Sequence, residues 1–247
     1  HQASLHGKSV LTVLASDAHA AVRASAARNP ALPLEVLAHL STDPASVVRA
    51  AAAGSTRLSP LALSALEQDP EDQVRLVVLA NPLTKRALVE SAARSGDIET
   101  LRAVARNPAL TQASLHRLLR HSDSHVRYWA VTNRGLASEM LDQLADSTEE
   151  GVSEAVAEHP NTGPATLNHL AEHPESSVRE RVADNLHTPS GAVELLTVDE
   201  DAQVRWSAGG NPVLSHQQLL QVARLGDWHA CTGVASNPSA SSEVLEL

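Results

Sequence analysis

Aspartate and arginine recur along this chain at a fixed separation of six residues. The pairs are Asp17 and Arg23, Asp43 and Arg49, Asp69 and Arg75, and Asp199 and Arg205. A carboxylate beside a guanidinium can transfer a proton or bind a charged substrate, so a catalytic pair is one interpretation. An active site needs one such pair, whereas this pattern returns every 26 residues. The recurrence therefore favours a structural ladder of helix caps and ion pairs that holds the loops between repeats.

Gaps in this pattern indicate which residues belong together. The arginine column continues at Arg127 and Arg179, where His121 and His173 replace the acid. Three repeats lack both the arginine and the acid, and at the arginine position they carry Leu101, Ser153 and Cys231. We therefore predict that the aspartate and the arginine of one repeat are partners.

Histidine spacing makes a metal site a second interpretation. His121 and His125, like His169 and His173, are four residues apart, which can chelate a metal ion on one continuous helix. Each pair here spans a turn or the first turn of a helix, and Cys231 is the only cysteine. Nucleophile motifs and glycine-rich phosphate loops are also missing from the sequence. We therefore expect no metal, no cofactor and no enzymatic activity.

A period of 26 residues must position all of these side chains. A valine-type column, called the valine position below, comprises Val22, Val48, Val74, Thr100, Val126, Val152, Val178, Val204 and Ala230. Two leucine-type columns, which begin at Leu11 and Leu14, precede it, and an asparagine column that begins at Asn29 follows it. About nine periods, in register from about residue 11, predict one repeat array over residues 1–247. A tenth repeat is expected to start at residue 245.

Each repeat is predicted to contain two short helices, A and B. Leu37 and Leu40 have the helical spacing of a buried face in helix A, and a column of Ser, Thr or Pro precedes that helix. Asp43 and Pro44 have the pattern of an N-cap and a first helical residue, so we expect helix B over residues 44–53. Alanine, valine and glycine dominate two inward columns of helix B, which allows helices to approach within about 8–10 Å.

The asparagine column marks the end of helix B. Most of these asparagines precede proline, which disfavours the helical conformation of the residue before it. The column lies seven residues after the valine position, so each side chain should face inward. A buried amide there can satisfy unpaired backbone groups of the adjacent turn, and we predict this structural role.

Composition narrows the function classes. The chain has a net charge of −10 and a pI of about 5.7, which argues against the broad basic surface of a general nucleic-acid-binding protein. Phenylalanine is absent, so leucine, valine and alanine must build the core. The sequence contains no apolar run of 18 residues and no signal-peptide pattern, and we expect a cytoplasmic protein.

Two strings of the sequence resemble the bacterial leucine-rich repeat variant family. They are Leu40-Ser-Thr-Asp-Pro-Ala-Ser-Val-Val-Arg-Ala and Ala27-Arg-Asn-Pro-Ala-Leu-Pro. The resemblance covers residues 11–245 and implies an all-α, right-handed superhelical solenoid of two-helix repeats, similar to HEAT repeats. Some members carry an iron–sulfur cluster bound by N-terminal cysteines, and this sequence lacks those cysteines. The resemblance therefore implies a fold and no particular activity.

Side chains that do not recur are the candidates for function. The columns two, three and six residues after the valine position should face outward, and we call them the helix B face. The candidate binding residues on it are Arg102, Arg106, Tyr128, Trp129, Glu154, Glu158, Glu180, Arg181, Asp184 and Trp206. Exposed tryptophan, tyrosine and arginine are typical anchors of protein interfaces.

Three functions are consistent with this surface. The leading hypothesis is a non-catalytic scaffold that binds a protein or peptide along the helix B face. A nucleic-acid-binding or DNA-repair module similar to HEAT-like glycosylases is an alternative that the acidic charge disfavours. A structural spacer or assembly module within a larger polypeptide is the third. The aromatic rings have a structural interpretation too, in which they fill local gaps or cover small residues such as Gly209.

Overall fold

The computed structural model describes residues 10–246, and over this range it contains nineteen α-helices and no strand. Residues 1–9 and 247 of the predicted array lie outside the described residues. The prediction of an all-α solenoid of two-helix repeats is confirmed, since short helices alternate in the order A, B through the described chain. Two compact units divide between Gly135 and Leu136. That residues 1–247 form one array stays a prediction.

In the first unit, five repeats each contribute a helix A and a helix B. The helices A are α1 (Val10–Leu14), α3 (Leu34–Leu40), α5 (Pro60–Leu66), α7 (Arg86–Ala92) and α9 (Gln112–Leu118). The helices B are α2 (Ala20–Arg28), α4 (Ser46–Ala53), α6 (Asp72–Ala80), α8 (Ile98–Ala105) and α10 (Ser124–Val131). Consecutive helices B pack against one another, and each helix A packs against the helix B of its own repeat.

The second unit follows the same plan. Its helices A are α11 (Ser138–Leu144), α13 (Pro164–Leu170), α15 (Ser190–Leu196), α17 (His216–Leu225) and the short α19 (Ser242–Leu245). Its helices B are α12 (Val152–Glu158), α14 (Ser176–Asp184), α16 (Ala202–Gly210) and α18 (Trp228–Ser236). Because α19 has the position of a helix A, it agrees with the predicted start of a tenth repeat.

Helix A begins where the sequence predicts. Ser59 caps α5 by accepting a hydrogen bond from the backbone N–H of Ala62, and Pro60 is the first helical residue. Thr111 caps α9 in the same way, and Ser215 forms a reciprocal capping box with Gln218 at the start of α17. These caps satisfy backbone donors that have no partner inside the helix.

Helix B begins later than predicted. In the second repeat α4 starts at Ser46 with Ala45 as its N-cap, so Asp43 and Pro44 precede the helix and the predicted cap is wrong. Asp43 instead accepts a hydrogen bond from the N–H of Ala45 at 2.9 Å, which closes a turn before the helix. The residue that caps helix B lies two positions further on. Asp97 is an example, since it accepts from the N–H of Thr100 at the start of α8.

Small residues allow the helices B to touch through their backbones. Gly209 of α16 and Gly233 of α18 face each other so closely that a Cβ atom on either would overlap main-chain atoms of the other helix. A Cβ on Gly233 would lie 2.9 Å from the backbone nitrogen of Gly210, for example. The glycines are therefore required by packing, and Gly209 is covered by a helix backbone.

The buried asparagines form a ladder that links successive repeats. Asn107 is fully buried, and its Nδ2 donates to the carbonyls of Leu79 and Asn81 in the preceding repeat at 2.7 and 2.8 Å. Its Oδ1 accepts from the N–H of Ala109 at 2.9 Å. The same arrangement recurs at Asn81, Asn133, Asn185, Asn211 and Asn237. The predicted structural role of this column is confirmed.

Candidate functional site

The aspartate and arginine columns pair between repeats. Arg23 donates through Nε and Nη2 to the two carboxylate oxygens of Asp43 in the following repeat, at 2.7 and 2.8 Å. Its Nη1 donates to the main-chain carbonyl of Asp17, the acid of its own repeat, at 2.8 Å. The predicted side-chain pairing within one repeat is therefore wrong. An arginine near the start of helix B extends toward the turn that precedes helix B of the next repeat.

Two further pairs have this two-point geometry. Arg49 binds Asp69 at 2.7 and 2.9 Å, and Arg179 binds Asp199 at the same two distances. The Arg49 guanidinium holds the pKa of the Asp69 carboxyl below its usual value. Burial raises the pKa of Asp199, but hydrogen bonds from Arg179 and from the main chain outweigh it, and the pKa is lowered. These groups are charged, paired and structural, which agrees with the ladder interpretation.

Where the six-residue pattern fails, neighbouring aspartates replace the missing acid. Asp227 accepts from Nε of Arg205 at 3.0 Å, and Asp123 accepts from Nη2 of Arg102 at 2.9 Å. Each aspartate also accepts a backbone N–H in the first turn of its own helix B. Sequence reasoning missed both pairs because their separation differs from the repeating one. An aspartate directly before helix B was the available signal.

The histidines of the broken columns act as turn acceptors. Nδ1 of His121 and of His173 accepts the N–H of the residue two positions on, at 3.1 and 3.2 Å, as the Asp43 carboxylate does. His159 does the same in the asparagine column at 3.0 Å. Each of these Nδ1 atoms must lack a proton to accept. Within residues 10–246, no group of three or more histidine, cysteine, aspartate or glutamate side chains is arranged to hold a metal ion.

In the first unit, three candidate residues form one contact group, which we call the aromatic cluster: Arg106, Tyr128 and Trp129. The guanidinium carbon of Arg106 lies 4.2 Å from the centroid of the Trp129 ring. Tyr128 meets Trp129 edge to face, with ring centroids 5.3 Å apart, and Tyr128 is 42% exposed. Arg102 is also on this face, but it is held by Asp123 and by Glu99 at 2.8 Å.

The second unit carries the acidic candidates. Glu158, Arg181 and Asp184 line one open groove of about 300 Å³ between α12 and α14. Glu154 and Glu180 lie on the same helices and are half-buried. Trp206 stands on α16 and is 41% exposed. The structure therefore brings three of these residues together.

Not every column of the predicted face is open to solvent. Three of the candidates in the first unit and four in the second project from positions where other repeats carry buried residues, such as Ala24, Ala51 and Ala155. Close packing of adjacent helices B covers small side chains there, whereas longer ones extend beyond the contact. Sequence reasoning also left Trp228 unassigned, although at 72% it is the most exposed tryptophan of the described chain.

One repeat of the first unit, residues 20–45, matches the leucine rich repeat variant family. A solved structure described as a leucine-rich repeat variant with a novel repetitive structural motif is 26% identical over 81% of this chain and 80% of that chain, with a TM-score of 0.44. The YibA protein of Escherichia coli is 16% identical over 92% of this chain and 90% of its own, with a TM-score of 0.41. No curated protein matches the chain significantly. No helix among residues 10–246 is long and apolar enough to cross a membrane.

Proposed function

We propose that this chain, a member of the leucine-rich repeat variant family through the repeat at residues 20–45, is a non-catalytic solenoid scaffold that binds a protein or peptide. The partner contacts the helix B face of the repeats. The recurring polar columns hold repeats together, as the asparagine ladder and the Asp–Arg pairs illustrate. In this proposal, the side chains that recognise the partner are those that do not recur from repeat to repeat.

The aromatic cluster is the observation that carries the proposal. Aromatics make up only 2% of the chain, yet Tyr128 and Trp129 are adjacent on one helix, with Arg106 over the indole. Neither ring is needed to fill the repeat core, which leucine, valine and alanine build elsewhere. Tryptophan, tyrosine and arginine are the residues that most often dominate the binding energy of protein interfaces. An edge-to-face pair also presents a preformed surface to a partner, because the rings already constrain each other.

The second unit contributes a different surface in this proposal. Glu158 and Asp184 beside Arg181 form a mixed-charge groove, and Trp206 offers a single exposed ring. A partner of this second-unit surface must carry groups of both charges. Such charges contribute mainly to specificity and association rate.

Comparative affinity capture tests this function. The full chain and the double variant Trp129→Ala/Trp206→Ala are immobilised and exposed to a lysate and to a peptide array. We expect the wild type to retain a partner that the double variant loses, because truncation of an anchor tryptophan commonly costs 2 kcal/mol or more, about 30-fold in affinity.

Trp228→Ala is the matched control. Trp228 is exposed and packs on His229 with ring centroids 4.9 Å apart, but it lies at the first position of α18, outside the helix B face. Capture that is unchanged in the double variant would reject the proposal. Salt-sensitive binding of duplex DNA with no protein or peptide partner would instead favour the nucleic-acid function.

A further inference from the structure

The first three repeats form a second surface on the helix B face, remote in sequence from the aromatic cluster. An open groove of about 720 Å³ runs along α2, α4 and α6. Its apolar wall consists of Val47, Ala50, Ala51 and Val77, and Val47 is 46% exposed. The volume is in the range of about 300–1,000 Å³ that is common for small-ligand sites. Small side chains therefore leave room here for an apolar group from outside.

This groove is positively charged, whereas the protein as a whole has a net negative charge. Arg28 and Arg57 line it, and the described lining includes no carboxylate. The whole chain has 29 acidic residues against 19 basic ones. A groove with two cations and no acid is thus an exception within an acidic molecule.

Both arginines lie where helices B end. Arg28 is the last residue of α2 and is exposed. Arg57 follows α4, and its Nη1 donates to the carbonyls of Pro30 and Leu32, the latter at 2.9 Å. Those partners are neutral, so they position the guanidinium without cancelling its charge. Serine, threonine and glutamine side chains also line the groove and can hydrogen-bond to a peptide backbone.

We infer that this groove binds an acidic peptide segment of a partner protein, with a carboxylate against Arg28 and Arg57 and an aliphatic side chain against the wall of Ala50 and Val77. The inference rests on the proposed function, and it adds the chemistry of the partner. Arginine suits the carboxylate because its planar donors can bind two oxygens at once. The net negative charge of the protein disfavours acidic peptides on most of its surface, whereas the lining of this groove carries two arginines and no carboxylate.

Fluorescence polarisation with the full chain tests the inference. The probes are three pools of fluorescein-labelled ten-residue peptides, which combine leucine and valine with Asp and Glu, with Lys and Arg, or with Ser and Gln. We expect the acidic pool to bind best, and to bind more weakly as ionic strength rises. Arg28→Glu should weaken that binding at least tenfold.

Two further variants make the result specific. Gly54→Gln places an uncharged side chain in the groove, and its Cβ would meet Val77 at 3.5 Å, an ordinary contact, so the fold should tolerate it. We expect this variant to weaken binding as well. Arg86→Glu makes the same charge change as Arg28→Glu at an exposed site outside the groove, and it should leave the affinity unchanged. Circular dichroism verifies that each variant is folded.

The outcomes separate this inference from the proposed function. Equal binding of the three pools, or unchanged binding in Arg28→Glu, overturns the groove assignment. A single-stranded oligonucleotide that displaces the acidic pool at lower concentration than an unlabelled acidic peptide also overturns it. If the groove variants bind normally while Trp129→Ala/Trp206→Ala loses its partner, the groove fails and the scaffold function stands. If all variants bind normally, both fail.

Discussion

Single asparagine side chains make the same three hydrogen bonds in one repeat after another. In Asn211, Nδ2 donates to the carbonyls of Ala183 and Asn185 at 2.6 and 3.2 Å, and Oδ1 accepts from Val213 at 3.0 Å. Those carbonyls are at the end of a helix, where no N–H of the helix can reach them. The amide is suited to this place because it donates and accepts at once.

Asn211→Ala should lower the free energy of unfolding by about 1–3 kcal/mol, because the carbonyl of Ala183 and the N–H of Val213 lose the side chain that they bind. Urea unfolding followed by circular dichroism measures this change. Asn168→Ala is the control: Asn168 is exposed on α13 of the same unit, and its loss should change stability by no more than about 0.5 kcal/mol. Equal effects of the two substitutions would contradict the ladder.

The sequence predicts the role of these asparagines but not the partners of the arginines. Asn107 recurs at a helix end before proline, and local rules are sufficient to place its amide inward. Arg49 has an acid six residues before it and another 20 residues after it, and only the packing distance between repeats decides between them. Arg49 does contact the nearer acid, Asp43, but it donates to the main-chain carbonyl of Asp43 and not to its carboxylate. The spacing along the chain therefore does not show which carboxylate pairs with Arg49.

At the scale of helices, the packing of neighbouring helices B depends on how closely their backbones can approach. In the second unit the backbones of α16 and α18 pack directly against each other, and glycines occupy both sides of this contact. A glycine inside a helix costs up to about 1 kcal/mol relative to alanine, so the packing gain must outweigh that cost. The geometry explains why Gly209 and Gly233 are both present.

Gly233→Ala should destabilise the protein by about 1–3 kcal/mol, because the added methyl group overlaps the main chain of α16 and the helices must separate. Thermal unfolding gives the measurement. Gly191→Ala in α15 is the matched control, since a Cβ there meets nothing within 4 Å. That substitution should stabilise the protein by about 0.5–1 kcal/mol through helix propensity. Stabilisation by both would show that the close approach is absent.

Helix positions were more predictable than helix starts. The alternation of helices A and B follows from the period, and Ser59 with Pro60 correctly marks the start of α5. The start of α4 was predicted two residues too early, because Asp43 and Pro44 form a turn that has the same sequence pattern as a cap. In the sixth repeat Gly151 adopts a φ of 77°, and α12 starts only at Val152. The 26-residue pattern cannot predict such a local change of backbone conformation, because the change occurs in one repeat only.

At the scale of the whole molecule, charges at the repeat junctions link stability to pH. The pKa values of Asp43, Asp69 and Asp199 are lowered, in the first two chiefly by an arginine of the preceding repeat. The unfolded chain therefore binds protons at higher pH than the folded chain does. This contribution is fully present above the ordinary aspartate pKa of about 3.9 and is lost as the pH falls through the lowered values.

Asp69→Asn should lower the free energy of unfolding by about 1–3 kcal/mol at pH 7, because Arg49 loses its charged partner. The difference from wild type should shrink as the pH falls below the ordinary aspartate pKa of about 3.9, because the unfolded wild type takes up a proton at Asp69 at higher pH than the folded protein does. Chemical unfolding across this pH range tests both statements. Glu35→Gln, at an exposed position of the same unit, should show little change at any pH. A difference that is constant with pH would contradict the pairing.

The repeated and the unique side chains divide the molecule into scaffold and recognition surface. The all-α repeat fold was predictable because the period specifies it, and this prediction is confirmed. The predicted resemblance to leucine-rich repeat variants agrees with the family model that matches residues 20–45. The candidate surface consists of side chains that lie outside the recurring pattern, and its binding role is still a prediction. The structure adds contacts to it, such as Arg106 over Trp129, that no periodic pattern contains.

The most direct test is the dissociation constant of a captured partner for the wild type, Trp129→Ala/Trp206→Ala and Trp228→Ala, measured by isothermal titration calorimetry. We predict an affinity at least 30-fold weaker for the double variant, with an unchanged melting temperature, and wild-type affinity for Trp228→Ala. Equal affinities for all three proteins would contradict the account. A double variant that loses affinity only because it unfolds would show that these rings belong to the scaffold.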